Sequence, residues 1–308
     1  MLVGLWLAPA CRHDEPATLP SSKAAPVAAT ASKDVLAYLP IDSEVVIGID
    51  VKGLRGSALW AQYRPLLVQR LGAQLADITQ KCGFDPIEAV ESIAFAIADP
   101  SDQQSNAVLV VRGLDREHTL ACLAKQIIPD TTATIDDGIV VLAHPNNDRR
   151  QVLTFVDHST LIVQAAKQPT KDTLRGLVAS GVPLRGSPAF MAMYDQLDRP
   201  ATVWGAINGR ARMLGQIASL GGQPRGLYGT LLVTDGLAST VRLQLETADQ
   251  ATQVTAKLQP QLAVAGAMLG ELAVRAEGSV VKLTIAMSAD QLRGILATMG
   301  LAGGNASP

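Results

Sequence analysis

The sequence predicts an α+β fold: a mostly antiparallel sheet, built from an internally duplicated unit, with helices packed on one face. Three observations lead there. β-Branched runs come in pairs joined by tight-turn signals at Asp137-Gly138, Asp235-Gly236 and Glu277-Gly278, and Asp-Gly readily takes the type I′ turn that matches strand twist. Between these pairs, apolar residues recur every three or four positions behind Ser, Thr or Asp caps, the pattern of amphipathic helices. The order strand, helix, hairpin, helix, hairpin, helix occurs twice.

In chain order, Asp34 to Leu39 reads as a short helical turn stopped by Pro40, and Ser43 to Val51 as a strand. Ser57 caps a long helix on which Trp60, Tyr63, Leu67, Leu71, Leu75 and Ile78 share a face. Gly83 supplies its C-cap, and Pro65 sets a kink or a late start. SIAFAIAD and NAVLVVRG are strands joined by the polar loop Pro100 to Ser105. Asp115 caps a helix to about Ile127, TATIDDGIVVLAH is a hairpin, RQVLTFVDHSTLIVQAA supplies two strands, and Thr170 to Ala179 is a helix. The second series opens with Ser187-Pro188, a cap with proline at the first helical position, and runs to about Leu197. ATVWGAIN is a strand, Arg210 to Leu220 a helix, and GLYGTLLVTDGLASTVRLQLE a long hairpin. Thr247 to Gln250 and Ser288 to Gln291 are capping boxes, opening a helix with Pro260 inside it and a final helix to Met299. LAVRAEGSVVKLTIAM is the hairpin between them.

The duplication aligns EVVIGIDV with TVWGAING, NAVLVVRGLDREHTLACLAKQI with STVRLQLETADQATQVTAKLQ, and TIDDGIVVL with RAEGSVVKL. On this alignment Arg150 to Ala165 is an additional strand pair in the first half. LRGSALW and LRGSPAF are a further local echo, each opening a helix. The expected organisation is an apolar segment over 1–10, a disordered tether over 11–33, repeats over 34–182 and 183–300, and a flexible tail over 301–308.

Composition narrows the function. With 308 residues, 48% of them hydrophobic, the chain can bury a sizeable core. Aromatics are only 4%, so that core rests on Leu, Val, Ile and Ala. A net charge of -2, with no basic stripe, gives no drive toward nucleic acid. After Gly4 no uninterrupted apolar run approaches the ~20 residues of a membrane span. The longest, Leu262 to Leu269, is apolar all round and should be buried or cover a partner groove. Gly266 and Gly270 within it point to close helix-on-sheet packing.

Met1 to Ala10 is apolar and uncharged, too short to span a bilayer but suited to the core of an export signal. Small residues, Ala8, Pro9 and Ala10, stand just before Cys11. The segment resembles the lipobox of bacterial lipoproteins, in which the cysteine is acylated and becomes the first mature residue. Ala8 stands where that pattern prefers leucine, and a basic leading segment is absent from the given sequence. From Arg12 to Lys33 the chain is Ala, Pro, Ser and Thr with scattered charges, which cannot bury enough surface to order itself. The resemblance implies lipidation at Cys11, with a membrane as partner through the lipid anchor. The elements Tyr38-Leu39-Pro40-Ile41-Asp42 and Ser187-Pro188-Ala189-Phe190 are similar to those of uncharacterised bacterial exported proteins. That resemblance implies an exported α+β protein in the cell envelope, periplasmic or associated with the outer membrane, and brings no activity.

Motifs for chemistry are lacking. The sequence has no Gly-x-Ser-x-Gly, no dinucleotide fingerprint, no phosphate loop and no Cys-x-x-Cys. GGQPRG, at 221–226, is a glycine-rich loop that precedes a strand rather than a helix. His13, His118, His144 and His158 show no metal-ligand spacing. His144, His158 and Asp157 end neighbouring strands and are the best remaining polar candidates, expected at the surface. The acidic loop Asp99 to Asn106 lacks the glycine and glutamate of a calcium loop. Asp136 and Asp137 are paired carboxylates explained by turn geometry. No cofactor, metal or catalytic residue is therefore assigned. Cys82 and Cys122 could pair in an oxidising envelope, but the repeat alignment sets Cys122 against Val254, a core position, so two free thiols are expected.

The first functional reading is a non-catalytic, membrane-tethered envelope lipoprotein that binds or scaffolds, with a protein partner or apolar ligand. The second is a carrier of an apolar ligand such as lipid, held in a cavity between sheet and helices. The third is an enzyme whose site is assembled from distant residues.

Overall fold

A computed structural model describes residues 34–298, except 103, 126–130, 145–146 and 199. The opening apolar run, Cys11, the expected tether and the C-terminal tail lie outside the described residues. The strands are β1 (Val45–Asp50), β2 (Ser92–Ile97), β3 (Ala107–Arg112), β4 (Thr132–Asp136), β5 (Ile139–His144), β6 (Asn147–Phe155), β7 (Thr160–Ala166), β8 (Val203–Asn208), β9 (Pro224–Val233), β10 (Gly236–Leu245), β11 (Glu271–Glu277) and β12 (Val280–Ser288). The helices are α1 (Val51–Arg55), α2 (Ala58–Cys82), α3 (Pro86–Ala89), α4 (Arg116–Ala124), α5 (Lys171–Ser180), α6 (Pro188–Tyr194), α7 (Ala248–Leu269) and α8 (Ala289–Thr298). Short 3₁₀ segments lie at Val35–Tyr38, Leu184–Gly186 and Arg212–Leu220.

The strands form one open sheet in the order β11-β12-β10-β9-β8-β1-β2-β3-β7-β6-β5-β4, and neighbours run antiparallel. The seam is the β1–β8 pair, in register from Val45 opposite Ile207 to Ile49 opposite Val203. Outward from β1 come β2, β3, β7 and β6; outward from β8 come β9, β10, β12 and β11. The two halves therefore repeat about the seam. One part of the sequence alignment changes. By sheet position and by the helix that follows, β11–β12–α8 corresponds to β6–β7–α5, not to β4–β5. The addition in the first half is the hairpin β4–β5 on the outer edge, and Arg150 to Ala165 belongs to the common unit. The glycine recurs because these turns need a positive φ and the valines because strands favour β-branched residues, so the match misled the alignment. The LRGS echo is also local: Ser57 opens α2 after β1, whereas Ser187 opens α6 before β8.

Caps stop and start the helices as their residue types dictate. Ser57 Oγ accepts from Trp60 N at 3.0 Å, and Gly83 ends α2 at φ 78°. At α8, Ser288 N donates to Gln291 Oε1 at 2.8 Å while Gln291 N donates to Ser288 Oγ at 3.3 Å, a complete box. At α7, Gln250 Oε1 instead accepts from Glu246 N and Gln223 N. The helix expected over 210–220 is 3₁₀, begins at Arg212 and has no side-chain cap.

Helices cover both faces of the sheet, not one. On the front, the first two 3₁₀ segments, α5 and α6 bury Leu36, Leu39, Leu174, Leu184, Phe190 and Met193 against Val46, Ala96, Val108, Ile162, Ala206 and Tyr228. On the back, α4 brings Leu120 and Leu123 onto Val111, Val140, Leu142, Leu153, Phe155 and Leu161. In the second half α7 places Ala251 and Val254 on Leu243, Leu245 and Val281. The reason lies in the strands: β3, β5, β6 and β7 carry apolar residues on both sides, so each face needs a cover.

Cys82 and Cys122 form a disulfide with Cα atoms 4.7 Å apart, within the span a bridge allows. This corrects the expectation of free thiols. Cys122 is buried, as the comparison with Val254 required, but it meets the last residue of α2.

Candidate functional site

The central strands sort their side chains by size. In β1 and β2, alternation sends Val46, Gly48, Ala94 and Ala96 to the front and Ile47, Ile49, Ile93, Phe95 and Ile97 to the back. Their neighbours continue the pattern, with Ala206 in front and Leu109, Val203 and Ile207 behind. Burial runs opposite to size. The small front residues are buried. Of the back residues just named, Ile47 is 37% exposed and the others are only partly buried. Val45, at the start of β1, is the exception at 9%. The sealed clusters of the back lie to either side, under α4 and under α7. Between them is an apolar floor over which the described residues form no closed core.

α2 runs from the β9–β10 turn to α4. Its first turn is tied to the β9–β10 turn, where Leu59 N donates to Thr234 O at 3.1 Å. Its last residue is bonded to α4 through the disulfide, and Lys125 Nζ donates to Lys81 O at 2.7 Å. The helix thus bridges the two halves, over a length of ~37 Å at ~1.5 Å per residue for its 25 residues. Beside it, Arg64 pairs with Glu88 of α3 at 3.2 Å. With its amide oriented to satisfy both partners, Gln62 accepts from Arg293 of α8 at 2.9 and 3.2 Å. Leu59, Tyr63 and Leu66, spaced four and three apart, turn inward, while Ala61, Gln62, Arg64 and Pro65 are exposed. No described residue of α2 joins the three buried clusters. The arrangement is an apolar sheet face flanked by two sealed clusters, and a helix fixed at both ends. The named floor residues carry no ionisable group, so this face favours hydrocarbon.

A second recess lies on the front, where β10, β12 and β11 have no helical cover among the described residues. Thr230, Thr240 and Thr284 stand side by side across three strands, next to Ala238, Ala273 and Ala286. The trough holds about 610 Å³ and is walled by Asp198, Pro200 and Ala201. Arg242 donates to both Asp198 oxygens at 3.1 Å. Leu232, Leu272 and Ile285 line it together with the threonines and alanines, so the trough is a mixed surface, more apolar than polar.

The polar candidates from the sequence do not come together. His144 ends β5 opposite Asn147 at the start of β6, whereas His158 follows the far end of β6. They mark opposite ends of β6, so ending neighbouring strands does not bring them together. His158 is exposed, and Asp157 Oδ1 accepts from Ser159 N at 2.8 Å and Thr160 N at 2.6 Å, holding the turn. Burial raises the Asp157 carboxyl, but the hydrogen bonds from Ser159 and Thr160 outweigh it and leave it below the usual range. His118 Nδ1 lies 2.9 Å from Asp115 Oδ1 in an exposed first turn. Asp136 and Asp137 sit at the β4–β5 turn, with Asp137 at φ 51° and Gly138 at φ 73°. They pair with Lys171 and Arg175 of α5, and the Lys171 hydrogen bond holds Asp136 below the usual carboxylate range. Asp99 accepts from Ser101 within the β2–β3 connection. Gly221–Gly226 is a loop running into β9. Gly266 approaches β11, where an added Cβ would lie 3.8 Å from Leu272 Cβ. Among the described residues no cluster of His, Cys, Asp and Glu could hold a metal, and no helix is long and apolar enough to cross a membrane.

No family model and no curated protein matches this chain. Solved structures do. Crystal form III of TP0453 aligns over 87% of this chain and 99% of its own, at 13% identity and a TM-score of 0.55. Crystal forms I and IV align over 87% of this chain and 98% of theirs, each at 14% identity with a TM-score of 0.52. The chain shares the overall fold of TP0453.

Proposed function

We propose that this protein is a non-catalytic, membrane-tethered component of the bacterial cell envelope that holds an apolar molecule between the back of its sheet and α2. One observation carries the reading: among the described residues, the large apolar side chains of β1, β2 and β8 lie on the face that no buried cluster seals, and α2 is pinned at one end to the β9–β10 turn and at the other to α4. At ~25 cal/mol per Å², exposed Ile and Phe surface of this kind is a standing cost that an apolar guest relieves. The tether is argued from sequence: the apolar run, Ala8-Pro9-Ala10-Cys11, and the Ala/Pro/Ser/Thr stretch that follows. A multiply acylated cysteine would anchor firmly, whereas a single chain binds only marginally.

Both parts are tested together. Wild type should enter the detergent phase on phase partition and Cys11→Ser should stay aqueous; wild type in the aqueous phase sinks the anchor. Organic extracts of the purified Cys11→Ser protein should yield an apolar molecule in near-stoichiometric amount by mass spectrometry. Phe95→Asp, which puts a carboxylate on the floor, should come without it. A wild-type protein that neither retains nor takes up apolar molecules contradicts the carrier reading.

A further inference from the structure

We infer that the free edge of β11, with the apolar half of α7 behind it, is the contact between two copies of this chain, joined strand to strand about a two-fold axis. The sheet is open, and β11 ends it with no outer neighbour among the described residues. Such an edge presents unpaired N–H and C=O groups to another strand. The internal repeat shows that the fold accepts a strand here: β6, which stands in the first half where β11 stands in the second, carries β5 and β4 on its outer side. The register identifies the open groups. Leu245 N donates to Ser279 O at 2.9 Å, so odd-numbered residues of β12 bond toward β10 and even-numbered ones toward β11. The even residues stand opposite Glu271, Ala273, Arg275 and Glu277. The backbone groups of Leu272, Val274 and Ala276 therefore face outward.

Charge chooses the occupant and its register. Glu271, Ala273, Arg275 and Glu277 are exposed along the front of β11. Glu277 is shared by Arg275 at 2.6 Å and Lys282 at 3.6 Å, whereas Glu271 enters no ion pair among the described residues. One end of the strand thus carries a spare carboxylate and the other a surplus cation. An antiparallel copy centred on Ala273 sets Glu271 against Arg275 of the second copy and, by symmetry, Arg275 against its Glu271. Leu272 and Val274 then exchange the backbone bonds. Sliding one step sets Glu271 against Glu277, and a further step sets Arg275 against itself; like charges directly opposite destabilise a pair. Sliding the other way carries Arg275 off the end of the strand. The opposite edge, β4, has Asp136 as its one charged residue, and Lys171 already holds it.

Backbone pairing of this length covers less than the ~1,000 Å² that a stable interface needs. α7 supplies the rest. Its residues 262–269 include no polar side chain, and no helix can turn every face to one sheet. Gly266 meets the sheet at Leu272, while Ala263 is exposed in the single chain. α7 lies against both β11 and β12, so across the axis it and its copy stand about two strand spacings apart, ~10 Å, the distance of packed helices. The pairing also sets the two front troughs, each bounded by Glu271 and Ala273, side by side.

The test uses the purified full chain as Cys11→Ser, which carries no lipid at that position, in sedimentation velocity over a concentration series. Twice the monomer mass is expected at the upper end. Glu271→Arg and Arg275→Glu should each weaken self-association by roughly tenfold or more, since each turns both ion pairs across the axis into like-charge contacts. Glu271→Arg breaks no described ion pair within the chain, which separates its effect from a folding defect. Glu271→Arg with Arg275→Glu restores opposite charges and should recover the dimer. Ala273→Cys faces its own copy at the ~4.5 Å Cα spacing of a non-hydrogen-bonded pair, so mild oxidation should trap a covalent dimer, and Glu277→Cys should not. A chain that sediments as a monomer throughout overturns the proposal. A dimer that Glu271→Arg leaves intact, or that Ala273→Cys fails to trap, uses another surface and overturns it too. If only a chain ending at Thr298 dimerises, the edge belongs to the chain's own tail rather than to a second copy.

Discussion

Two glycines at the seam separate packing from backbone effects. Gly48 of β1 lies opposite Trp204 of β8, and Gly205 lies opposite Ile47 one step away on the other face. A Cβ added to Gly48 would overlap the Trp204 indole. That ring has little room to yield: it meets Tyr194 edge-on at 5.0 Å, and Tyr194 stacks on Phe190 at 5.5 Å. A Cβ added to Gly205 finds Val46 O at 3.5 Å and Ile47 Cγ1 at 3.9 Å, ordinary contacts. Neither glycine has the positive φ that would forbid alanine. Overpacking costs ~1–3 kcal/mol, and Gly→Ala at a compatible position contributes ~0.4–1 kcal/mol of stability. Gly48→Ala should therefore destabilise by ~1–2 kcal/mol and Gly205→Ala should stabilise by ~0.5 kcal/mol. At ~2–4 °C per kcal/mol, melting temperatures followed by tryptophan fluorescence should differ between the variants by roughly 4–8 °C. Gly48→Ala matching wild type, or Gly205→Ala losing as much as Gly48→Ala, would refute the reasoning.

Two further outcomes follow from the described contacts. The disulfide closes a separation of 40 residues, which corresponds to at most about 4 kcal/mol by loop entropy; a non-reduced digest should yield the Cys82–Cys122 cross-linked peptide, and the Cys82→Ser/Cys122→Ser protein should unfold at lower urea. Because the folded-state pKa of Asp157 is lowered, its stabilising contribution is present above the unfolded value of ~3.9 and is lost as pH falls through the folded value. Asp157→Ala should thus be less stable than wild type by about 1 kcal/mol at neutral pH, with the gap closing in acid; a gap that is constant from pH 7 to pH 2 contradicts this account of the turn.

Much of the fold was legible because its signals are local. Asp-Gly turns, Ser and Thr caps, and β-branched runs act within a few residues, and each strand expected from residues 43 to 288 is present. Non-local matters were misread. The equivalence of β11–β12 with β6–β7 is set by which strand lies beside which, and turn composition cannot report that. Helices on both faces follow from the two-sided apolar strands, a pattern visible in LIVQ and VLVV that composition alone did not reveal. The disulfide depends on where the end of α2 meets α4, a meeting of two distant segments. The apolar back face left a partial trace. SIAFAI alternates large and small residues, so one face is bulky and the other flat, and that sorting could have been read directly. That the bulky face is the unsealed one is a property of the assembled sheet.

The central claim is that an apolar guest is held between α2 and the back of β1, β2 and β8. The most direct measurement is photolabelling of the full chain with an alkyl diazirine, with labelled peptides mapped by mass spectrometry and saturation checked by unlabelled competitor. The account predicts saturable labels on peptides containing Ile47, Phe95 and Ile207 and on the α2 peptide around Tyr63 and Leu66. Label confined to the front trough around Leu232 and Ala238, or label that no competitor reduces, would contradict it.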